Sequence, residues 1–276
     1  MEFKTLMVHL ELGQPNDRLL AIAADLAQRL KAHIVGIAGC QPIRLDWTDA
    51  YITAEVLAED SKEIERQTEA AEKAFRAAMD TKAVSAEWRS TVTMGSLADY
   101  IATQARAADL IITGPDIGAS MFDHTRRVGI ADLVMEAGRP VLIVPKGQGQ
   151  LPLHHVLIGW KGTRECRRAV ADALPLLKLA YQVTVTEIAS DADLSRAKHH
   201  VSDVIGWLDR HGIKAKASAV AAAGPDSDRL QELAVETQAD LVVAGAYGHS
   251  RLREWVLGGV TGDFLLSPDR CVLLSH

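Results

Sequence analysis

The sequence predicts an α/β protein: two tandem copies of a five-stranded parallel-sheet domain, covering residues 1–148 and 150–276. Three observations carry that expectation. The chain is written twice, since "ADLIITGP" at 108–115 and "ADLVVAGA" at 239–246 stand 131 residues apart and stay in step to the C-terminus, where "GRPVLIVP" (138–145) meets "DRCVLLSH" (269–276). Short apolar runs alternate with longer segments of helical period, the pattern of strand–helix–strand units and a parallel sheet. Length and composition agree, because 276 residues at 48% hydrophobic and 24% charged suffice for two ordinary cores.

The first copy opens on the strand "TLMVHLE" (5–11), which matches "HVLIGWK" (155–161) at an offset of 150. The two offsets differ because the first copy carries about nineteen extra residues, placed within 40–60, where "CQPIRLDWTDAYITAEVLAED" has no counterpart. The segment 59–80 reads as a helix whose Ile64, Ala71, Phe75 and Met79 form one stripe, most simply a core-facing one. Asp109 and Asp240 begin the fourth strands and read as turn-formers rather than as catalytic acids. "KGQGQLPLHH" (146–155) is polar and bears Gly and Pro, as a linker should. In the second copy "VLIGW" (156–160), "QVTVTEIA" (182–189), a weaker "KAKASAV" (214–220), "DLVVAG" (240–245) and "CVLLS" (271–275) are strands. Residues 164–180, 194–211 and 226–238 are the helices between them. Each fifth strand, "PVLIVP" or "CVLLS", is expected at the edge of its own sheet. Residues 141–144 should then pair antiparallel with 272–274 in an intrachain pseudo-dimer, and whole chains should associate further as a homodimer.

Ligands of such sheets bind at the carboxyl ends of the strands, where the strand order reverses. One stretch begins there: "GAYGHSRLREWVLGGVT" (245–261) leaves the fourth strand of the second copy with glycines at 245, 248, 258 and 259. Glycine lets backbone N–H groups converge on a phosphate, and a helix opening at "GGVTGDFLL" would add unpaired donors and a favourable dipole. A blander reading is that these glycines merely break the chain between strand and helix.

Gly-x2-Gly-x9-Gly followed by a small residue and Val-Thr resembles the nucleotide motif of the universal stress protein family, and the doubled five-strand plan is similar to its tandem members over the whole chain. The resemblance implies a Rossmann-like, adenine nucleotide alpha hydrolase-like fold. It implies an ATP site, or one for AMP or ADP, with Mg²⁺ on the phosphates, and a binding set of Gly245, Gly248, Gly258, Gly259, Val260, Thr261, Lys161 and Ile188. Two departures stand out. Gly259 occupies a place usually held by Ser or Thr, and Lys161 in "WKGT" occupies that of an Asp. A lysine only donates hydrogen bonds; it either turns toward phosphates or sits solvated in its loop. The first copy departs further: Ile117, Arg127 and Val128 stand opposite Gly248, Gly258 and Gly259, Pro115 removes a donor beside the turn, and only Gly114 matches. The N-terminal copy is therefore not expected to bind ATP in the family manner, and Arg126 and Arg127 read as a solvated basic pair or, failing that, as a site for another anion.

Other chemistries find little support. His154–His155 and His199–His200 are adjacent pairs that cannot share a metal on a helix, and no HxxxH or CxxC accompanies them. His249 either meets a phosphate or faces water, and neither Ser120 nor Ser250 lies in a Gly-x-Ser-x-Gly elbow. No catalytic residue is assigned, so any ATPase or autophosphorylation activity should be slow. A net charge of −6 and a pI near 5.9 argue against nucleic acid. No apolar run reaches the roughly 18 residues of a membrane span, and the start lacks a signal pattern. Cys40, Cys166 and Cys271 fit no disulfide framework, so a cytoplasmic protein is expected. The leading expectation is a nucleotide-responsive stress-response module. Its rivals are an enzyme of phosphoryl or adenylyl transfer, and an interaction protein whose first domain takes a non-nucleotide or protein partner, with Trp47, Tyr51 and Ile52 as the supporting insert.

Overall fold

The structure is a computed structural model that describes residues 2–43, 53–115, 127–246 and 269–276. The first half runs β1 (Thr5–His9), α1 (Asp17–Leu30), β2 (His33–Cys40), α2 (Ala54–Thr81), β3 (Ala86–Val92), α3 (Leu97–Gln104), β4 (Leu110–Thr113), α4 (Ile130–Glu136) and β5 (Val141–Ile143). The second runs β6 (His155–Trp160), α5 (Arg164–Leu177), β7 (Gln182–Ala189), α6 (Leu194–Arg210), β8 (Ala215–Ala221), α7 (Asp226–Glu236), β9 (Leu241–Gly245) and β10 (Cys271–Ser275). The helix expected between β9 and β10, like Trp47, Tyr51 and Ile52, lies outside the described residues.

The ten strands among the described residues join in one sheet, in the order β3-β2-β1-β4-β5-β10-β9-β6-β7-β8. Neighbours are parallel except at the centre, where β5 and β10 run antiparallel with Ile143 opposite Val272, Leu142 opposite Leu273 and Val141 opposite Leu274. The expected edge-to-edge pairing of the fifth strands is thus present within one chain. Because both faces carry helices, the central strands are apolar on both sides. Leu6 and Val8 of β1 enter one core while Met7 enters the other, and β6 repeats this with Val156, Ile158 and Leu157. One core is roofed by α1, α2, α5 and α6, the other by α3, α4 and α7.

The stripe Ile64, Ala71, Phe75 and Met79 is the buried face of α2. That helix begins before the expected residue 59, because the Thr53 side chain accepts a hydrogen bond from Val56 N and caps it at Ala54. The two aspartates that begin the fourth strands do more than turn the chain. Asp109 Oδ2 accepts hydrogen bonds from Lys4 N (2.7 Å) and Thr5 N (2.9 Å), and Asp240 Oδ2 accepts one from His154 N (2.8 Å). Each clasps the start of the fourth strand to the start of the first, in the same way in both halves.

Strand order reverses at two places, between β1 and β4 and between β6 and β9. From β1 the chain moves out to β2 and β3, then returns to β4 on the other side. Open sheets of this kind bind their ligands at the carboxyl ends of the strands on either side of such a reversal.

Candidate functional site

In the second half, β9, β6 and β7 are adjacent, and their carboxyl ends present three of the residues singled out from sequence. Gly245 ends β9, Lys161 follows β6, and Ile188 lies near the end of β7. Gly248, His249, Ser250, Gly258, Gly259, Val260 and Thr261 lie outside the described residues. Gly245 is where the glycine reading placed it, at the end of β9, and its near neighbour there is protein. A Cβ there would sit 2.4 Å from Cys166 N and 2.6 Å from Glu165 C. Only a glycine lets the first turn of α5, capped by Thr163 Oγ1 on Cys166 N, close over the strand end. Lys161 neither floats in solvent nor stands free: its Nζ pairs with Asp226, the first residue of α7. With the two side chains 52% and 37% exposed, this ion pair contributes about 1 kcal/mol at most. Ile188 is half-buried, opposite Val220 of β8, and packs on the second core. On the other face the buried Glu187 carboxylate meets His200 Nδ1 at 3.2 Å from each oxygen. Sequence reading passed over that pair, although a glutamate in the otherwise uncharged run "QVTVTEIA" was a visible signal.

The first half is built differently at the equivalent place. Arg127, at the position matching Gly258, lies with Nε 3.2 Å from Glu11 Oε1, the residue matching Lys161. Their side chains are 15% and 25% exposed, so Arg127 is not the solvated residue expected; it closes on the end of β1 instead. Arg126 and Ile117 lie outside the described residues. Beside the ion pair is a cavity of about 60 Å³, lined by His9, Thr113 and Gly114 among others. A Cβ on Gly114 would meet nothing within 4 Å among the described residues, whereas α5 closes on Gly245. His9 is buried, its Nδ1 3.0 Å from Thr113 Oγ1, and desolvation pulls its pKa down to about 4, so the ring is neutral at pH 7. His9 and Glu11 stand in "TLMVHLELG" as polar residues inside an apolar run. Their partners lie more than a hundred residues away, which is why sequence reading missed them.

No family model matches the chain, and no curated protein is similar to it in sequence. Solved structures are similar along nearly its full length. A universal stress protein from Archaeoglobus fulgidus DSM 4304 superimposes with a TM-score of 0.73 at 16% identity, over 98% of this chain and 95% of that one. The fold is that of the universal stress proteins. A functionally unknown protein from Pseudomonas aeruginosa PAO1 matches at a TM-score of 0.60 and 17% identity, over 99% of this chain and 92% of that one. The universal stress protein fold here is tandem, its two parallel halves joined through β5 and β10.

Within this fold the described histidines of the two adjacent pairs include hydrogen-bonding residues. His155 reaches Thr237 O (2.7 Å) and Thr184 Oγ1 (2.8 Å), and His199 reaches Ser195 O (2.7 Å). Among the described residues no three His, Cys, Asp or Glu side chains are grouped to hold a metal ion. No helix among the described residues is long and apolar enough to cross a membrane.

Proposed function

We propose that the chain is a tandem universal stress protein that binds one adenine nucleotide, ATP in the first instance, in its C-terminal half, residues 150–276, and not in its N-terminal half, residues 1–148. The observation that carries this reading is the contrast between the two strand-order reversals. In the second, the glycine motif starts at the carboxyl end of β9 beside β6, where a ligand of such a sheet belongs. In the first, the corresponding groove is spanned by Arg127 and Glu11. In this reading Ile188 offers an apolar wall to the base. Main-chain N–H groups from Gly248 and from Gly258 to Thr261, with the Thr261 hydroxyl, hold the phosphates, on which Mg²⁺ would neutralise charge. Lys161 is already matched by Asp226, so it adds little cationic pull unless that pair opens.

The reading includes a cytoplasmic location, which three buried cysteines outside any disulfide framework suit. It also includes a homodimer of whole chains. With the fifth strands consumed inside the chain, the sheet edges left for such an association are β3 and β8. Light scattering that gives a strict monomer at micromolar concentration removes the dimer.

Titration calorimetry of the full chain tests the nucleotide site. One ATP per chain is expected. Gly258→Arg places a long stem where N–H groups meet phosphate; losing two charge-assisted hydrogen bonds at roughly 1.5–3 kcal/mol each weakens binding by about 10²-fold or more. Two equivalent sites per chain, or unchanged binding in Gly258→Arg, overturns the assignment.

A further inference from the structure

The cavity at the end of β1 has no role in the nucleotide reading, and its chemistry is specific. Thr113 is almost fully buried on a central strand, and its hydroxyl has one hydrogen-bond partner among the described residues, His9 Nδ1. A buried hydroxyl hydrogen needs an acceptor. Thr113 therefore donates to Nδ1, and the ring proton of the neutral imidazole sits on Nε2. Nε2 has no protein partner among the described residues, while His9, 7% exposed, lines the cavity. His9 Nε2 is thus a donor with no partner among the described residues, on a side chain that borders the cavity.

The start of α1 faces the same space. Asn16, at its N-cap position, makes no side-chain cap, because its carboxamide is spent on Glu11 N, Glu11 O and Gln14 O. The N–H groups of Arg18 and Leu19 lie in the helical turn that has no intrahelical acceptor, and both residues line the cavity. Charge points the same way: among the described residues Arg18, Arg127 and Lys146 line it, with Glu11 as the acid. At about 60 Å³ it has room for a small polyatomic ion.

We propose that this cavity is a binding site for a small oxyanion of the phosphate class, held by the Nε2–H of His9 and the uncapped first turn of α1. The oxyanion is either free phosphate or the head of a small phosphomonoester. Neutral His9 supplies a directed hydrogen bond, and the helix terminus with Lys146 supplies the positive potential. Arg127 stays with Glu11, so the site does not depend on breaking that ion pair.

The test reads His9 directly. In the full-length chain with 15N-labelled histidine, long-range imidazole spectra report each ring nitrogen, and His9→Phe assigns the resonance by its loss. Inorganic phosphate and glycerol phosphate are titrated in turn, with chloride as the ionic-strength control. A saturable movement of the His9 Nε2 signal is expected, with the tighter of the two probes naming the source. Thr113→Val, which frees the tautomer, should weaken it about tenfold; Lys146→Ala, at an exposed side chain, should weaken it several-fold and covers the case of a poorly folded Thr113→Val. A His9 signal indifferent to both phosphates at high-millimolar concentration, or moved equally by chloride, overturns the proposal. The titration is repeated in Gly258→Arg, where loss of ATP binding with the His9 response retained separates the fate of this site from that of the C-terminal one.

Discussion

Two titratable residues, one buried and one partly buried, pull stability in opposite directions with pH. His9 has a folded-state pKa lowered from 6.5 to about 4, so the folded chain prefers the neutral ring. That preference contributes stability fully above pH 6.5 and loses it as pH falls toward 4, an effect on the order of 3 kcal/mol. In His9→Asn this slope is absent; urea denaturation of both proteins at pH 7 and pH 4.5 should show the wild type losing more, and equal losses would refute it. Asp172 on α5 behaves oppositely. Burial raises its pKa, opposed by the nearby Ser275 hydroxyl and by Arg168 and Arg139. The folded state holds that proton more tightly than the unfolded chain, so the group's contribution is present below pH 3.8 and is lost as pH rises through the raised value. Asp172→Asn should therefore be the more stable protein at pH 7, and the gain should vanish in acid. Arg168, half-exposed at 3.7 Å, gives up little in exchange. A thermal melt at pH 7 lower than that of the wild type would show the charge to be needed. Residues of this kind are the least legible in sequence. Asp172 reads as an ordinary polar position on a helix, and its burial comes from β10, about a hundred residues later.

Strands and helices were far easier to read. β7 and β10 match their expected bounds to the residue, because β-branched and aliphatic runs end there at polar or small residues. β8 was the weakest reading, since alanines dominate it; it is the half-exposed edge that such a composition suits. The position of Gly245 was legible and its neighbour was not, because α5 begins about eighty residues earlier. Gly245→Ala should cost about 1–3 kcal/mol even without nucleotide, as backbone atoms of α5 must shift to admit a Cβ. Chemical denaturation of the unliganded protein measures this, and an unchanged midpoint would mean that α5 yields freely. The paired clasps at Asp109 and Asp240 make a matched prediction. Replacing either by Ala leaves strand-start N–H groups without their acceptor, at about 1–3 kcal/mol each. The two losses should add in the double variant, since the sites are independent.

At the scale of the whole molecule, the halves share a sheet as well as a polypeptide. Leu142 and Leu273, opposite one another at the β5–β10 joint, are fully buried. A chain cut within 146–150 should therefore stay together, the two fragments eluting as one species in gel filtration and parting only in denaturant. Fragments that separate in native buffer would show that the linker, rather than the joint, holds the molecule. The joint also bears on how the two halves were free to change. Two identical subunits pairing through the same strands must carry every substitution in duplicate, so a mutation that ruins one binding groove ruins both. Joined in tandem, each groove answers to its own stretch of gene. Arg127 can stand at one position while the sequence sets a glycine, Gly258, at the matching one, and a change in the first half is not inherited by the second.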